Sequence, residues 1–289
     1  MKKQKIIRTG ILAIIVLALV LFGGYTCLFS RTHYSFSRMN YSSNLLPDGF
    51  KGFKIVNLSD VHITTSKDID RLEQIVDEIE DQSYDMVVFT GDLYEGKPIE
   101  DTKVQKILKK LQPGYGKFAV LGDEDHAHAD EVTNILNEGG FEVLNNSTRT
   151  IHYRNSSFIL YGQSLNSQED IPDYDGFVLT LSHYPDSFIQ NKGHTQLQLS
   201  GHSNGGTIWF PGIGPLVKCK NAITYNHGTY TENNSELIVS NGIAPRKNYH
   251  FKVLCENEII MITFEKGFLS LLFFCFHITS KIGKIEIGK

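Results

Sequence analysis

Six acidic or imidazole side chains stand just past the ends of five apolar runs. Asp60 and His62 follow Lys54-Ile-Val-Asn-Leu-Ser, Asp92 follows Met86-Val-Val-Phe-Thr-Gly, and Asp123 follows Phe118-Ala-Val-Leu-Gly. His183 follows Phe177-Val-Leu-Thr-Leu-Ser, and His202 follows Leu197-Gln-Leu-Ser-Gly. Any one of them alone reads as an N-cap or a turn residue. Five strands delivering carboxylate and imidazole groups toward one sheet edge read as a metal site, because ligands of open α/β sheets gather beyond the carboxyl ends of strands. Mixed oxygen and imidazole donors suit Mn, Fe or Zn better than Ca. Two such cations about 4 Å apart, sharing a bridging carboxylate, would clamp a phosphate and activate water.

The elements that must position these groups follow from periodicity. A strand at about 53–58 leads into Lys67–Gln82, where Ile69, Leu72, Ile75, Val76 and Ile79 recur at three- and four-residue spacing. That spacing predicts an amphipathic helix, with Asp68 or Ser66 as N-cap. Met86–Thr90 is a wholly apolar strand, so the unit is β-α-β with parallel strands. Lys103–Leu111 predicts a helix stopped at Pro113-Gly114, Phe118–Leu121 a third strand, and Asp130–Glu138 a helix closed by Gly139-Gly140. From Phe141 onward short strands dominate: Phe141–Leu144, Thr150–Tyr153, Phe158–Tyr161, Phe177–Leu181, Leu197–Leu199, Thr207–Phe210, Glu236–Val239 and Ile259–Phe264, with Pro185–Gln190 alone helical. Trp209 and Phe210 read as core on this pattern. An α/β first half and a β-rich second half fit two packed sheets with helices outside.

At 289 residues with 41% hydrophobic and 21% charged content, the chain is globular in composition. A formal charge of −4 excludes a general electrostatic attraction to nucleic acid, so anionic substrates must be met by bound cations. The four cysteines are scattered and include no CxxC pair, which argues against a disulfide framework. Lys2, Lys3, Lys5 and Arg8 precede an uncharged run from Thr9 to Ser30, long enough to span a bilayer as a helix. The flanking charge favours a cytoplasmic N-terminus and an extracytoplasmic domain. A cleaved signal peptide competes with this single-pass anchor, although no small-x-small site follows the run and Gly24-Tyr-Thr-Cys27 is a poor lipoprotein-type site. The expected organisation is an anchor at 1–30, a polar, aperiodic linker at 31–52, one domain at 53–265, and an apolar and basic tail at 266–289. The tail's apolar stretch, Gly267–Thr279, is too short to span a membrane readily. It could lie at the interface, pack on the domain, or reflect a frame change in the source sequence.

Ser59-Asp-Val-His62, Thr90-Gly-Asp-Leu93, Leu121-Gly-Asp-Glu-Asp125, Leu181-Ser-His-Tyr-Pro185 and Ser200-Gly-His-Ser-Asn-Gly-Gly206 together resemble the calcineurin-like metallophosphoesterase family, in its membrane-anchored bacterial branch. The motifs occur in family order within residues 53 to about 264. The resemblance implies a mixed α/β, four-layer α-β-β-α sandwich and a two-metal site. It implies that Asp60 and His62 bind the first metal, Asp92 bridges both, and His183 and His202 bind the second.

Two motifs depart from the family's pattern. Where the family has Gly-Asn-His-Asp or Gly-Asn-His-Glu, this chain has Gly122-Asp-Glu-Asp125. Asp123 thus replaces a neutral oxygen ligand, and Glu124 replaces the His used beside the leaving group. Where the family has Gly-His-x-His, this chain has Gly201-His-Ser-Asn204, so Asn204 offers an amide oxygen in place of an imidazole. Three readings compete: a site retuned toward harder cations such as Mn or Mg, a site in which Glu124, His126 or His128 supplies the acid, and a degenerate site that binds without turnover. The bland reading of His126 and His128 is a solvated turn at a helix entry, and that of Arg246 is a solvated surface loop, with a phosphate contact as its alternative. The expected activity is hydrolysis of a phosphate mono- or diester using two divalent ions (Mn, Fe, Zn or Mg), on a phosphorylated small molecule or a lipid-linked phosphate. The competing expectation is a membrane-anchored metal- or ligand-binding protein on the same scaffold.

Overall fold

The computed structural model describes residues 2–167, 169–210, 212–246 and 251–266. The apolar part of the tail, Gly267–Thr279, lies outside the described residues. The chain opens with α1 (Lys2–Thr32), whose stretch Ile7–Tyr25 is long and apolar enough to cross a membrane. Among the described residues its large apolar side chains are exposed, Ile14 and Leu21 included.

Next come β1 (Tyr34–Ser43), β2 (Lys54–Leu58), α2 (Ser66–Glu80), β3 (Met86–Phe89), α3 (Asp101–Lys110), β4 (Lys117–Ala119), α4 (Ala129–Glu138) and β5 (Glu142–Val143). The second half comprises β6 (Ser147–Tyr153), β7 (Ser156–Gln163), β8 (Val178–Ser182), α5 (Phe188–Asn191), β9 (Leu197–Ser200), β10 (Trp209–Phe210), β11 (Gly214–Pro215), β12 (Gly228–Glu232), β13 (Ser235–Val239) and β14 (Asn257–Lys266). One sheet has the order β1-β14-β2-β3-β4-β5 and the other β12-β13-β9-β8-β7-β6, while β10 and β11 form a separate two-stranded ribbon. Strands β2 to β5 are mutually parallel, as are β7, β8, β9 and β13.

The apolar strands are apolar throughout because each serves two cores. Ile55, Met86 and Val88 point between the sheets, where they meet Phe158, Leu179, Leu199 and Phe264. Their neighbours Val56, Val87 and Phe89 point the other way, onto Ile69, Leu72, Ile75 and Val76 of α2 and Val104 and Ile107 of α3. The outer layer on the second sheet is thin: Phe188 of the short α5 packs with Tyr225, Leu237 and Val239. The result is the expected mixed α/β sandwich with helices on both outer faces.

Three local expectations need correction. Residues 34–43 are not linker but the edge strand β1, paired with β14 over its whole length. Tyr34 and Phe36 pack toward the helical face while Tyr41 is buried between the sheets, so an alternation hidden among Ser, Asn and Arg gives the segment a core on both sides. The N-cap of α2 is Thr65, and Asp68, three positions on, accepts the Thr65 amide at 2.9 Å. Phe210 is exposed rather than core, because β10 and the equally short β11 form a two-stranded ribbon separate from the two main sheets.

Candidate metal centre

The five strand ends do meet. Asp60 and His62 follow β2, Asp92 follows β3 and Asp123 lies beyond β4 in the first sheet; His183 follows β8 and His202 follows β9 in the second. The loops interlock by backbone bonds: Asp60 N–H donates to Gly91 O at 2.9 Å, Gly201 N–H donates to His183 O at 3.2 Å, and His202 N–H donates to Asp60 Oδ1 at 3.0 Å. Asp60, His62, Asp92, His202 and Asn204 all take positive φ, between 48° and 67°. Side chains bearing a Cβ pay for this left-handed backbone, and such strain gathers where function requires a particular aim. Close approach explains two glycines. A Cβ on Gly122 would fall 2.0 Å from Asp92 Oδ1, and one on Gly201 would fall 2.4 Å from Asp60 Oδ2.

The side chains form two groups that share Asp92. Asp60, His62 and Asp92 offer ligand atoms within 4.8 Å of one another, and so do Asp92, Asp123, His183 and His202. Asp92 Oδ2 is buried with no hydrogen-bond partner among the described residues; it lies 3.4 Å from His183 Nε2 and 3.9 Å from His62 Nε2. A buried carboxylate oxygen left without a donor costs stability, unless a cation supplies the missing charge.

Two of the three imidazoles are oriented from behind by hydrogen bonds. His183 Nδ1–H donates to Thr90 O at 2.7 Å and His202 Nε2–H donates to Lys220 O at 2.7 Å, while His62 Nδ1 lies 3.5 Å from Glu95 Oε2. In His183 and His202 the outer nitrogen donates to a carbonyl, which turns the opposite nitrogen toward the carboxylates, as metal-binding histidines require, while His62 Nδ1 has no hydrogen-bond partner among the described residues. The residues present fit divalent-cation binding, in two ligand groups that share Asp92. Electrostatics agree. Burial opposes the charged forms, but the carboxylates of Asp92 and Asp123 raise His183 well above its ordinary value, and hydrogen bonds from His183 and His202 hold Asp123 well below the usual carboxylate range.

The departures from pattern occupy defined places. Asp123 Oδ1 lies 2.8 Å from His183 Nε2 and 2.7 Å from His202 Nδ1. Asn204 is buried, with Nδ2 3.3 Å from both Asp60 Oδ1 and His62 Nε2, and its Oδ1 has no partner among the described residues. Rotating the amide by half a turn would present that oxygen to the Asp60–His62 group. The Glu124 N–H donates to Asp92 Oδ1 at 3.0 Å while its side chain stays half-buried; burial first, then Asp92, Glu95 and Asp123, raise its carboxyl. His126 is exposed on the short turn His126–His128, and His128 is half-buried 3.5 Å from Glu131.

Two residues of consequence are not evident from the sequence pattern. Asp125 is buried and accepts four backbone N–H groups, from Asp92, Leu93, Tyr94 and Gly122, at 2.9 to 3.2 Å. Its signal was its place two residues beyond a ligand, where a buried acid must find donors. Arg246 is not a solvated loop residue: its Nη2 lies 3.1 Å from His202 Nδ1 and 4.0 Å from Asp123 Oδ1, and its side chain is largely buried. Only a remote stretch of chain connects it to the ligands, so spacing could not reveal it.

Comparison with known proteins agrees with this geometry. The family described as calcineurin-like phosphoesterase matches residues 53–241. An uncharacterized metallophosphoesterase of Bacillus subtilis, YkuE, is 29% identical over 241 residues, covering 77% of this chain and 82% of that one. An uncharacterized metallophosphoesterase of Aquifex aeolicus is 27% identical over 207 residues, covering 67% and 78%. The UDP-2,3-diacylglucosamine pyrophosphatase LpxG of Chlamydia muridarum is 36% identical over 77 residues, covering 26% of this chain and 23% of that one.

Proposed function

The chain belongs to the calcineurin-like phosphoesterase family, and from that premise we propose that it hydrolyses a phosphate mono- or diester with two divalent cations bound around Asp92, at the outer face of a bacterial membrane. The observation that carries this reading is Asp92 Oδ2, buried without a hydrogen-bond partner among the described residues, between two groups of inward-facing ligands. Asp60, His62 and Asn204 would hold one cation, Asp123, His183 and His202 the other, and Asp92 both. When bound, the cations supply Lewis-acid polarisation of phosphoryl oxygens and acidification of water.

The chain's own groups would do the rest. Thr90 O and Lys220 O hold the imidazoles of His183 and His202 in register. Arg246, beside His202 and Asp123, is placed to meet a phosphate oxygen, the pairing that a guanidinium makes best. Glu124 replaces the family's leaving-group histidine and can carry the proton for the departing oxygen, since its carboxyl is raised above the ordinary range. His126, exposed on the adjoining turn, is the second candidate. The similarity to a diacylglucosamine pyrophosphatase, together with α1, favours a lipid-linked phosphate as substrate. Lysines ahead of the apolar stretch favour a cytoplasmic N-terminus, hence the outer face for the domain.

One observation favours a second reading, a binding protein on the same scaffold: Asn204 turns its amide nitrogen, not its oxygen, toward His62. The two are separated by assaying p-nitrophenyl phosphate and bis-p-nitrophenyl phosphate before and after chelation. Turnover that is lost on chelation and restored by Mn supports hydrolysis. Absence of turnover with every divalent cation tried would sink it in favour of binding.

A further inference from the structure

The segment between the last ligand and β12 carries chemistry that hydrolysis does not use. Phe210, Ile213, Leu216 and Ile223 are 41%, 86%, 65% and 54% exposed, and Leu254, 57% exposed, joins them because its neighbour Val253 pairs with Ile208. So dense an apolar surface is unusual on a soluble face and marks an interaction site. From Thr207 to Thr231 the chain has no Asp or Glu, yet it has Lys218 and Lys220, both exposed. Apolar side chains flanked by lysines suit an anionic lipid surface, and the nearby Asp186 carboxylate is taken up by the backbone N–H groups of Ile223, Thr224 and Tyr225.

Position points to the same occupant. The segment is fastened to the metal centre through Lys220 O, which accepts from His202 Nε2. Strand β14 runs antiparallel to β2 and parallel to β1, so Tyr34, paired with Asn257, lies at the end of the sheet where β2 delivers Asp60. Asn257 Nδ2 donates to His33 O at 2.9 Å, which ties the start of β1 to that end. One residue separates α1 from β1, leaving no slack in the connection. At 1.5 Å per helical residue, the stretch from Tyr25 to Tyr34 spans only about 14 Å beyond the apolar span.

We propose that this apolar lip docks on the bilayer surface, with Phe210, Ile213 and Leu216 at the boundary of headgroups and acyl chains and Lys218 and Lys220 on anionic headgroups. The metal centre then opens against the membrane, and its substrates are phosphate esters held in that surface. The docking rests on α1 being a retained anchor, and the substrate assignment rests on the hydrolase reading above.

The single tryptophan, Trp209, sits in the lip and reports on it directly. The full chain is reconstituted in vesicles of phosphatidylglycerol and phosphatidylcholine, with nitroxide-labelled lipids of graded depth. Docking predicts quenching of Trp209 by labels at the headgroup and first acyl carbons, within the outer 5–10 Å or so that interfacial segments reach. It also predicts loss of that quenching in Ile213→Asp/Leu216→Asp, two exposed positions, with hydrolysis of soluble p-nitrophenyl esters unchanged. A wild-type chain that floats with the vesicles yet leaves Trp209 unquenched by lipid and open to aqueous iodide overturns the docking. So does a Trp209 shielded from both quenchers, since docking would bring the lipid labels onto it. A chain that fails to float overturns the anchor, and the docking with it. Soluble-ester turnover, read separately, reports on the hydrolase reading.

Discussion

The Asp125 carboxylate accepts the backbone N–H of Asp92 at 2.9 Å, so one acid fixes the loop that carries the other. The same carboxylate takes the amides of Leu93, Tyr94 and Gly122. It thereby joins the loops after β3 and β4 at the point where the two ligand groups meet. Asp125→Ala strands four buried donors, at about 1–3 kcal/mol for each that water cannot reach. Chemical denaturation of the metal-free protein should show a loss of at least about 3 kcal/mol. A loss below about 1 kcal/mol would show that the loops hold themselves.

Arg246 reaches the centre from beyond β13 and presents Nη2 beside His202 and Asp123. If it meets a phosphate oxygen, Arg246→Ala should raise KM for p-nitrophenyl esters by about tenfold, the scale of one charge-assisted hydrogen bond. Arg246→Lys should recover part of that, since the charge remains but the fork is lost. An unchanged KM with a fall in metal content would instead assign Arg246 to holding the ligands.

His183 makes metal loading a contest with protons. Burial disfavours its imidazolium, but Asp92 and Asp123 outweigh burial and lift its pKa well above 6.5. At neutral pH the metal-free protein therefore keeps a proton there that a cation must displace. Mn affinity should rise as pH increases through about 6 to 8, and binding should release protons, seen as a dependence of the calorimetric heat on buffer. Heat independent of buffer, with flat affinity across that range, would contradict the assignment.

Strand β1 sets where a folded fragment can begin. A chain starting at Tyr34 keeps the partner of β14, whereas one starting at Gly52 leaves β14 as an open edge and removes buried Tyr41 from its contacts with Phe177 and Phe264. Exposed apolar edges aggregate. The longer fragment should elute as a discrete species in size-exclusion chromatography and the shorter one in the void. Equal behaviour would mean that β1 adds little.

What could be read from the sequence, and what could not, follows from how local each feature is. Asp60, Asp92 and His183 announce themselves because parallel strands buried on both faces are continuous apolar runs, and the first polar residue after such a run must sit at a sheet edge. Strand β1 is hidden because an edge strand is half-solvated: Ser35, Ser37 and Asn40 dilute the alternation of Tyr34, Phe36, Met39 and Tyr41. The exposure of Phe210 is hidden because an apolar pair looks alike whether a second sheet covers it or not. Arg246 acts across the fold, through contacts that no spacing encodes.

Metal content, before and after removal of the shared carboxylate, tests the central claim most directly. Elemental analysis of the full chain, purified in detergent and saturated with Mn, should find two equivalents per chain if the Asp60–His62–Asp92 group and the Asp92–Asp123–His183–His202 group each hold one. Asp92→Ala should lose most of both, along with all turnover. One equivalent or none in the wild-type chain, or two that survive Asp92→Ala, would contradict a binuclear centre built on Asp92.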